Sequence, residues 1–181
     1  MTTDLETTNV RLSLPSKGRL AEDAVEFLEA CGLRIYKPNP RQYEATIPSL
    51  PGLTILFQRP ADIVVSVRDG SVDFGITGID VIEERRGDNS SLMILHEALG
   101  FGGCALRLAV PESWESVEDL AGLKQRAATL DRPLRVATKY PILTERFLNQ
   151  AGIAHTLISA EGTLKTAPAI GYADMISDLA S

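Results

Sequence analysis

Apolar positions along the chain switch repeatedly between a spacing of two and a spacing of three to four. Val10, Leu12 and Leu14 point one way at period two and predict a short strand. Leu20, Ala24, Phe27, Leu28 and Cys31 then share one helical face, with Glu22, Asp23, Glu26 and Glu29 turned outward. Gly32 is placed to close that helix. Two strands are predicted over YEATIP and LTILFQ, joined through SLPG, and Pro60 suits the first turn of a helix ending near Gly70. SVDFGIT reads as a strand, followed by a helix from about Ile79 to Arg86. LMILHEAL and ALRLAVP are two further strands, and Ser116 with Asp119 makes a capping-box pattern before a helix over EDLAGLKQRA. PLRVAT is a strand, YPILTERFLNQAG a helix ended by Gly152, AHTLIS a strand, LKTAPAI a short helix and ADMISDL a final strand.

This alternation predicts an α/β chain built from parallel βαβ units. Two short stretches echo each other. Gly70-Ser-Val-Asp73 and Gly171-Tyr-Ala-Asp174 each end a predicted helix with glycine and enter a strand at an aspartate. They are either unrelated turns or the matching parts of two similar lobes. No low-complexity linker separates such lobes, so strands would join them.

Composition narrows the function. The 181 residues hold 44% hydrophobic and 23% charged side chains, an ordinary globular balance. A net charge of -6 with no long basic run argues against nucleic acid and against an anionic membrane surface as partners. No apolar run reaches the roughly 18 residues of a membrane span. The opening MTTDLETTN has neither a basic nor an apolar stretch of a secretion signal, so a cytoplasmic protein is expected. The two cysteines, Cys31 and Cys104, are expected as reduced, buried packing residues.

Against that acidic background, Lys17, Gly18 and Arg19 fall where a predicted strand feeds a helix. Exposed amides and the positive helix end favour an anion there, and glycine permits close approach. FQRPADI places Arg59 and Asp62 at a second such junction, GITGIDV places Thr77, Gly78 and Asp80 at a third, and VATKYP places Thr138, Lys139 and Tyr140 at a fourth. Open α/β sheets bind ligands at the carboxyl ends of their strands, so the four junctions together point to an anionic ligand. Several sharper motifs fail. There is no Walker-type phosphate loop. GFGGCA, from Gly100 to Ala105, matches a dinucleotide fingerprint in letters only, because ALRLAVP alternates like a strand where a helix should open; a glycine-rich bend is expected. His96 and His155 are too isolated for a metal cage and are expected to be structural. No serine or cysteine occupies a nucleophile elbow, and no catalytic residue is singled out.

In this order the segments LPSKGRL, FQRPADIV, GSVDFGITGIDVIEE, LGFGGCALRLAVP, RVATKYP and APAIGYADMISDLAS resemble the catalytic chain of the ATP phosphoribosyltransferase family, from Val10 to Ser181. The resemblance implies a two-lobed α/β fold like type II periplasmic binding proteins, with mostly parallel mixed sheets and a cleft between lobes. The expected organisation is a tail over 1–9, a first lobe over 10–104, a second over 105–175, and over 176–181 the start of a strand returning to the first lobe. It further implies transfer of a 5-phosphoribosyl group from phosphoribosyl pyrophosphate to N1 of ATP, the first step of histidine biosynthesis. Mg²⁺ would be carried on the substrate. Lys17, Gly18, Arg19, Arg59, Asp62, Thr77, Gly78, Asp80, Thr138, Lys139 and Tyr140 would bind substrate, and Asp174 and Asp178 would accept hydrogen bonds from ribose hydroxyls.

Self-association and a separate regulatory subunit are further implications of the resemblance. Two departures stand out: Lys165 replaces a family glutamate, and the family's phosphate-cradling loop would follow Ser181. The chain as given is therefore expected to show little transfer activity, and the alternative reading is a non-catalytic nucleotide-binding module on the same fold.

Overall fold

The computed structural model describes residues 9–87, 91–160 and 164–180. It divides into two compact units, Met1–Gly102 and Gly103–Ser181.

In the first unit, β1 (Val10–Pro15) leads into α1 (Arg19–Ala30), β2 (Glu44–Thr46), β3 (Leu53–Gln58), α2 (Pro60–Arg68), β4 (Phe74–Gly75) and α3 (Ile79–Arg85). The strands form one sheet in the order β2-β3-β1-β4, with β3 and β4 parallel to β1 and β2 antiparallel at the edge. Leu14 of β1, Ala24 and Leu28 of α1, and Ala45, Ile47 and Ile55 make the core, so the helical face legible in the sequence is the one that is buried. Cys31 is not part of it: it caps the carboxyl end of α1 in solvent, and Cys104 is exposed as well. Both differ from the buried packing residues expected.

In the second unit, β5 (Ala105–Ala109), α4 (Leu120–Ala128), β6 (Leu134–Thr138), α5 (Pro141–Gln150), β7 (His155–Ser159), a 3₁₀ turn (Leu164–Thr166) and β8 (Met175–Ala180) follow in sequence. The sheet order is β5-β8-β6-β7, with β7 and β8 parallel to β6 and β5 antiparallel at the edge. Leu134, Val136, Leu148, Ile153 and Met175 centre its core. Residues 176–180, expected to lead back to the first lobe, are paired here with β5 and β6.

Each unit is an α/β sheet of mostly parallel strands, as the alternation of periods implied. Three local expectations fail for physical reasons. Leu92–Leu99 forms no strand, with Met93 82% and Leu95 70% exposed: an alternating pattern makes a strand only where a ladder partner exists. The helix expected over LKTAPAI shortens to Leu164–Thr166, since Pro168 has no amide to continue it. Ser116 is not a cap; Asp119 caps α4, its carboxylate accepting from the Gly122 amide at 2.8 Å.

The echoing turns are structurally equivalent. Gly70 (φ 74°) and Gly171 (φ 72°) both turn through the left-handed region. The Gly70 amide donates to Val67 O and the Gly171 amide to Pro168 O; Ser71 and Val72 donate to Ser66 O, as Tyr172 and Ala173 donate to Ala167 O. Asp73 then closes a ring with β1: its amide donates to Arg11 O and its carboxylate accepts from the Arg11 amide at 2.8 Å. Asp174 does the same with Arg135 of β6, again at 2.8 Å from the amide.

Asp174 carries more. Arg132 donates to both its oxygens at 2.6 and 2.8 Å, and Arg135 adds a bond at 3.0 Å. These hydrogen bonds, the Arg132 pair foremost, hold the carboxyl well below the usual carboxylate range although partial burial opposes them. A depressed folded pKa contributes stability that is complete above the unfolded value of about 4 and is lost as pH falls through the folded value. Asp174→Asn is expected to cost roughly 2 kcal/mol at neutral pH, the scale of hydrogen bonds to charged groups. Urea denaturation across pH is the check: below about pH 4 the gap between the native chain and the variant should narrow. A constant gap would remove Asp174 as its source.

Candidate functional site

The carboxyl edge of the first sheet is built from three strand-to-helix junctions. β1 ends at Pro15, and the Ser16 amide donates to Gln58 O at 2.8 Å, which ties the ends of β1 and β3 together. Beneath this, the buried Ser13 hydroxyl donates to Gln58 Oε1 at 2.7 Å, and Gln58 Nε2 donates to Ser66 Oγ of α2 at 3.1 Å. Gly18 stands at the helix cap with φ 78° and ψ 178°, a backbone that strains any side chain. No side chain caps α1, so its first amides remain open beside exposed Lys17 and Arg19. Arg19 has an i,i+4 contact to Asp23 at 3.8 Å with its own side chain 86% exposed, a pair that competes weakly with a ligand.

At the second junction Arg59 caps α2 in extended conformation, with exposed Asp62 in the first turn. At the third, Thr77 donates its hydroxyl to Pro60 O at 3.3 Å, linking the end of β4 to the start of α2. Gly78 caps α3. A Cβ on Gly78 would collide with the carboxylate of Asp80, which folds back over its own helix start. Thr77 therefore ties two elements together and Asp80 lies against the Gly78 backbone, whereas Lys17, Arg19 and Arg59 are exposed.

In the second unit the fourth junction rests on a chain of buried hydroxyls. Thr138 accepts from the Tyr140 amide at 2.9 Å and is bonded to Thr144 Oγ1 at 3.1 Å. Thr144 donates to Ser177 Oγ of β8 at 2.9 Å. All three hydroxyl residues are fully or almost fully buried, while Lys139 is exposed at the strand end and Tyr140 caps α5. Asp178 follows Ser177 on β8, beside this edge, with its carboxylate accepting from the Leu179 amide at 2.9 Å.

Asp174, by contrast, precedes β8 at the amino end of the parallel strands, about 13 Å of strand from Asp178. Its carboxylate is saturated by Arg132 and Arg135. Four residues of strand put Asp174 and Asp178 at opposite ends, and Asp174, expected as a ribose acceptor, spends its carboxylate on Arg132 and Arg135. Lys165 lies on the 3₁₀ turn and is exposed. Each histidine makes a local bond: His96 Nδ1 accepts from the Ala98 amide at 3.1 Å, and His155 Nδ1 lies 2.8 Å from Ile153 O.

Sequence reading missed Ser13, Gln58, Thr144 and Ser177, which hold the junctions in place. Ser13 was legible, as a polar residue between apolar neighbours on a strand. The bond between Thr144 and Ser177 was not, because it joins residues 33 apart in the chain. A cavity of about 360 Å³ in the first unit, lined by Phe27, Phe74, Ile82, Met93 and Leu95, has Asp73 and His96 as its titratable groups and none of the junction cations.

Each unit is an open α/β sheet of mostly parallel strands with cationic and hydroxyl-bearing junctions at its carboxyl edge, the edge at which sheets of this class commonly bind ligands. A family model described as ATP phosphoribosyltransferase matches residues 59–181. ATP phosphoribosyltransferase of Chelativorans sp. (strain BNC1) is 40% identical over 179 residues, covering 95% of this chain and 78% of the relative. The chloroplastic ATP phosphoribosyltransferase 1 of Arabidopsis thaliana is 45% identical over 183 residues, 98% of this chain and 44% of the relative. The chain thus spans under half the length of that plant relative. Among solved structures, the ATP phosphoribosyl transferase (HisG:HisZ) complex from Thermotoga maritima shares the fold at a TM-score of 0.65 and 22% identity, over 95% of this chain and 74% of that one. The chain belongs to the ATP phosphoribosyltransferase family.

The hydroxyl chain generates a direct test. Thr144→Val keeps shape but leaves Thr138 and Ser177 each short of a partner, at a cost of about 1–3 kcal/mol. Urea unfolding should register the loss, and amide exchange at Tyr140 should quicken as its acceptor loosens. An unchanged midpoint would mean the hydroxyls re-pair.

Proposed function

We propose that this chain serves the transfer of a 5-phosphoribosyl group from phosphoribosyl pyrophosphate to N1 of ATP, yielding phosphoribosyl-ATP and pyrophosphate at the start of histidine biosynthesis. The observation that carries the reading is the Lys17-Gly18-Arg19 turn, two exposed cations at an uncapped helix start in a family member of net charge -6. Arg59, Lys139 and Asp178 join it as candidate contacts on the same kind of edge.

In this reaction N1 of ATP attacks the anomeric carbon as the bond to pyrophosphate breaks, and the electron pair leaves with the pyrophosphate. Positive charge grows on the ribose ring and negative charge on the departing group. Fixed cations and open amides stabilise that developing negative charge more than they stabilise the bound substrate, which lowers the barrier without a protein nucleophile. Lys17 and Arg19 are suited to hold phosphate oxygens, and Gly18 lets the backbone approach them. The hydroxyl chain under Thr138 keeps the Lys139-Tyr140 turn rigid, so less ordering remains at the moment of reaction.

Mg²⁺ belongs to the same proposal. An ion of this kind would be held by substrate oxygens and water. Such an ion would neutralise the leaving group. Self-association and a regulatory subunit belong to the same proposal, by family likeness, and cytoplasmic residence by the character of the opening segment; among the described residues no helix is long and apolar enough to cross a membrane.

Replacing Lys17 and Arg19 together by Ala is expected to weaken phosphoribosyl pyrophosphate or ATP binding by at least about 1.5 kcal/mol, roughly tenfold. Calorimetric titration with each ligand, with and without Mg²⁺, measures it. Native affinity in the folded double variant would move the phosphate site elsewhere. Binding of nucleotide with no formation of phosphoribosyl-ATP would favour the non-catalytic binding module.

A further inference from the structure

Lys37 lies outside every motif that carries the family likeness, yet it faces the same groove as Lys17. Its backbone is pinned by its neighbour: the Tyr36 amide donates to Thr46 O at 2.7 Å and the Thr46 amide donates back at 3.0 Å, an isolated bridge to β2. From there the Lys37 ammonium reaches over β3 and rests 4.1 Å from the ring centroid of Phe57. A cation on an aromatic face is held in place without losing its charge. Among the described residues no carboxylate lies within ion-pairing distance of it.

The groove of about 460 Å³ beside α1 is lined by Lys17, Lys37, Gly18, Phe57, Glu22 and Glu26, with smaller residues, Ser16 among them, in between. Its charges are finely set. Two ammoniums face two carboxylates, and the open amides of α1 tip the balance toward an anion. Removing one ammonium leaves the carboxylates in excess, so a polyphosphate would meet repulsion as well as a lost contact.

We propose that Lys37 is a second ammonium of the anion subsite at the end of β1, acting with Lys17 on one phosphate-bearing ligand. The assignment rests on the reading of this edge as a polyphosphate site. Phe57 is a positioning residue in it: the ring holds the Lys37 side chain extended over the groove, so little rotamer freedom remains to be lost on binding.

The test titrates the full chain with pyrophosphate, phosphoribosyl pyrophosphate and ATP, at low and high salt. The series is the native chain, Lys17→Ala, Lys37→Gln, Lys37→Arg and Phe57→Leu. Lys37→Gln keeps the stem on Phe57 and removes the charge, and a thermal melt confirms that it folds. It should weaken whichever ligand Lys17→Ala weakens by about tenfold or more, in line with one charge-assisted hydrogen bond. The loss should shrink as salt is raised. Lys37→Arg should restore most of the affinity, and Phe57→Leu should fall between. Unchanged pyrophosphate affinity in folded Lys37→Gln, with Lys17→Ala weakened, overturns the role of Lys37 and leaves the proposed function standing. Pyrophosphate binding that needs both lysines, without binding of ATP or phosphoribosyl pyrophosphate, supports the lysine pair and overturns the function. A native chain that binds none of the three overturns both.

Discussion

A carboxylate that accepts the amide of the second residue of a neighbouring strand pins the register in each sheet. Asp73 does this for β1 and Asp174 for β6, at the amino ends of the parallel ladders. Register matters because side chains alternate faces every residue. A slip of β8 by one position against β6 would turn Ser177 away from Thr144 and break the hydroxyl chain under Thr138. The clamp at one end of the strands thus determines which groups are presented at the other.

The two clamps differ in strength. Asp73 is served by a backbone amide, whereas Asp174 also receives a bidentate guanidinium and a second arginine. The first unit secures its edge by other means, the Ser13-Gln58-Ser66 relay joining β1, β3 and α2. Both solutions place neutral hydroxyls and an amide, not charges, beneath the candidate site. Buried charges would impose a desolvation penalty; satisfied hydroxyls impose little. Charge is kept for the exposed tips, Lys17, Arg19, Arg59 and Lys139, where water solvates it.

Period-two and period-3.6 patterns, with glycine, proline and capping residues, determined the α/β order of elements, because each of these signals acts within a few residues. The cationic turn at Lys17-Gly18-Arg19 was legible for the same reason: a strand end, a glycine and a helix start are contiguous in the chain. The repeat at Asp73 and Asp174 could be seen as a pattern of letters but not interpreted, since its meaning lies in amides of Arg11 and Arg135, 62 and 39 residues away.

Tertiary structure alone decided the rest. It denied a strand to Leu92–Leu99, whose alternation finds no ladder partner, and left Cys31 and Cys104 in solvent. It separated Asp174 from Asp178, and it brought Lys37 to the groove that holds Lys17. Strand pairing, burial and the convergence of distant side chains are properties of the packed chain. Their free energy comes from contacts between residues far apart in sequence, and no local pattern records which distant partner will be there.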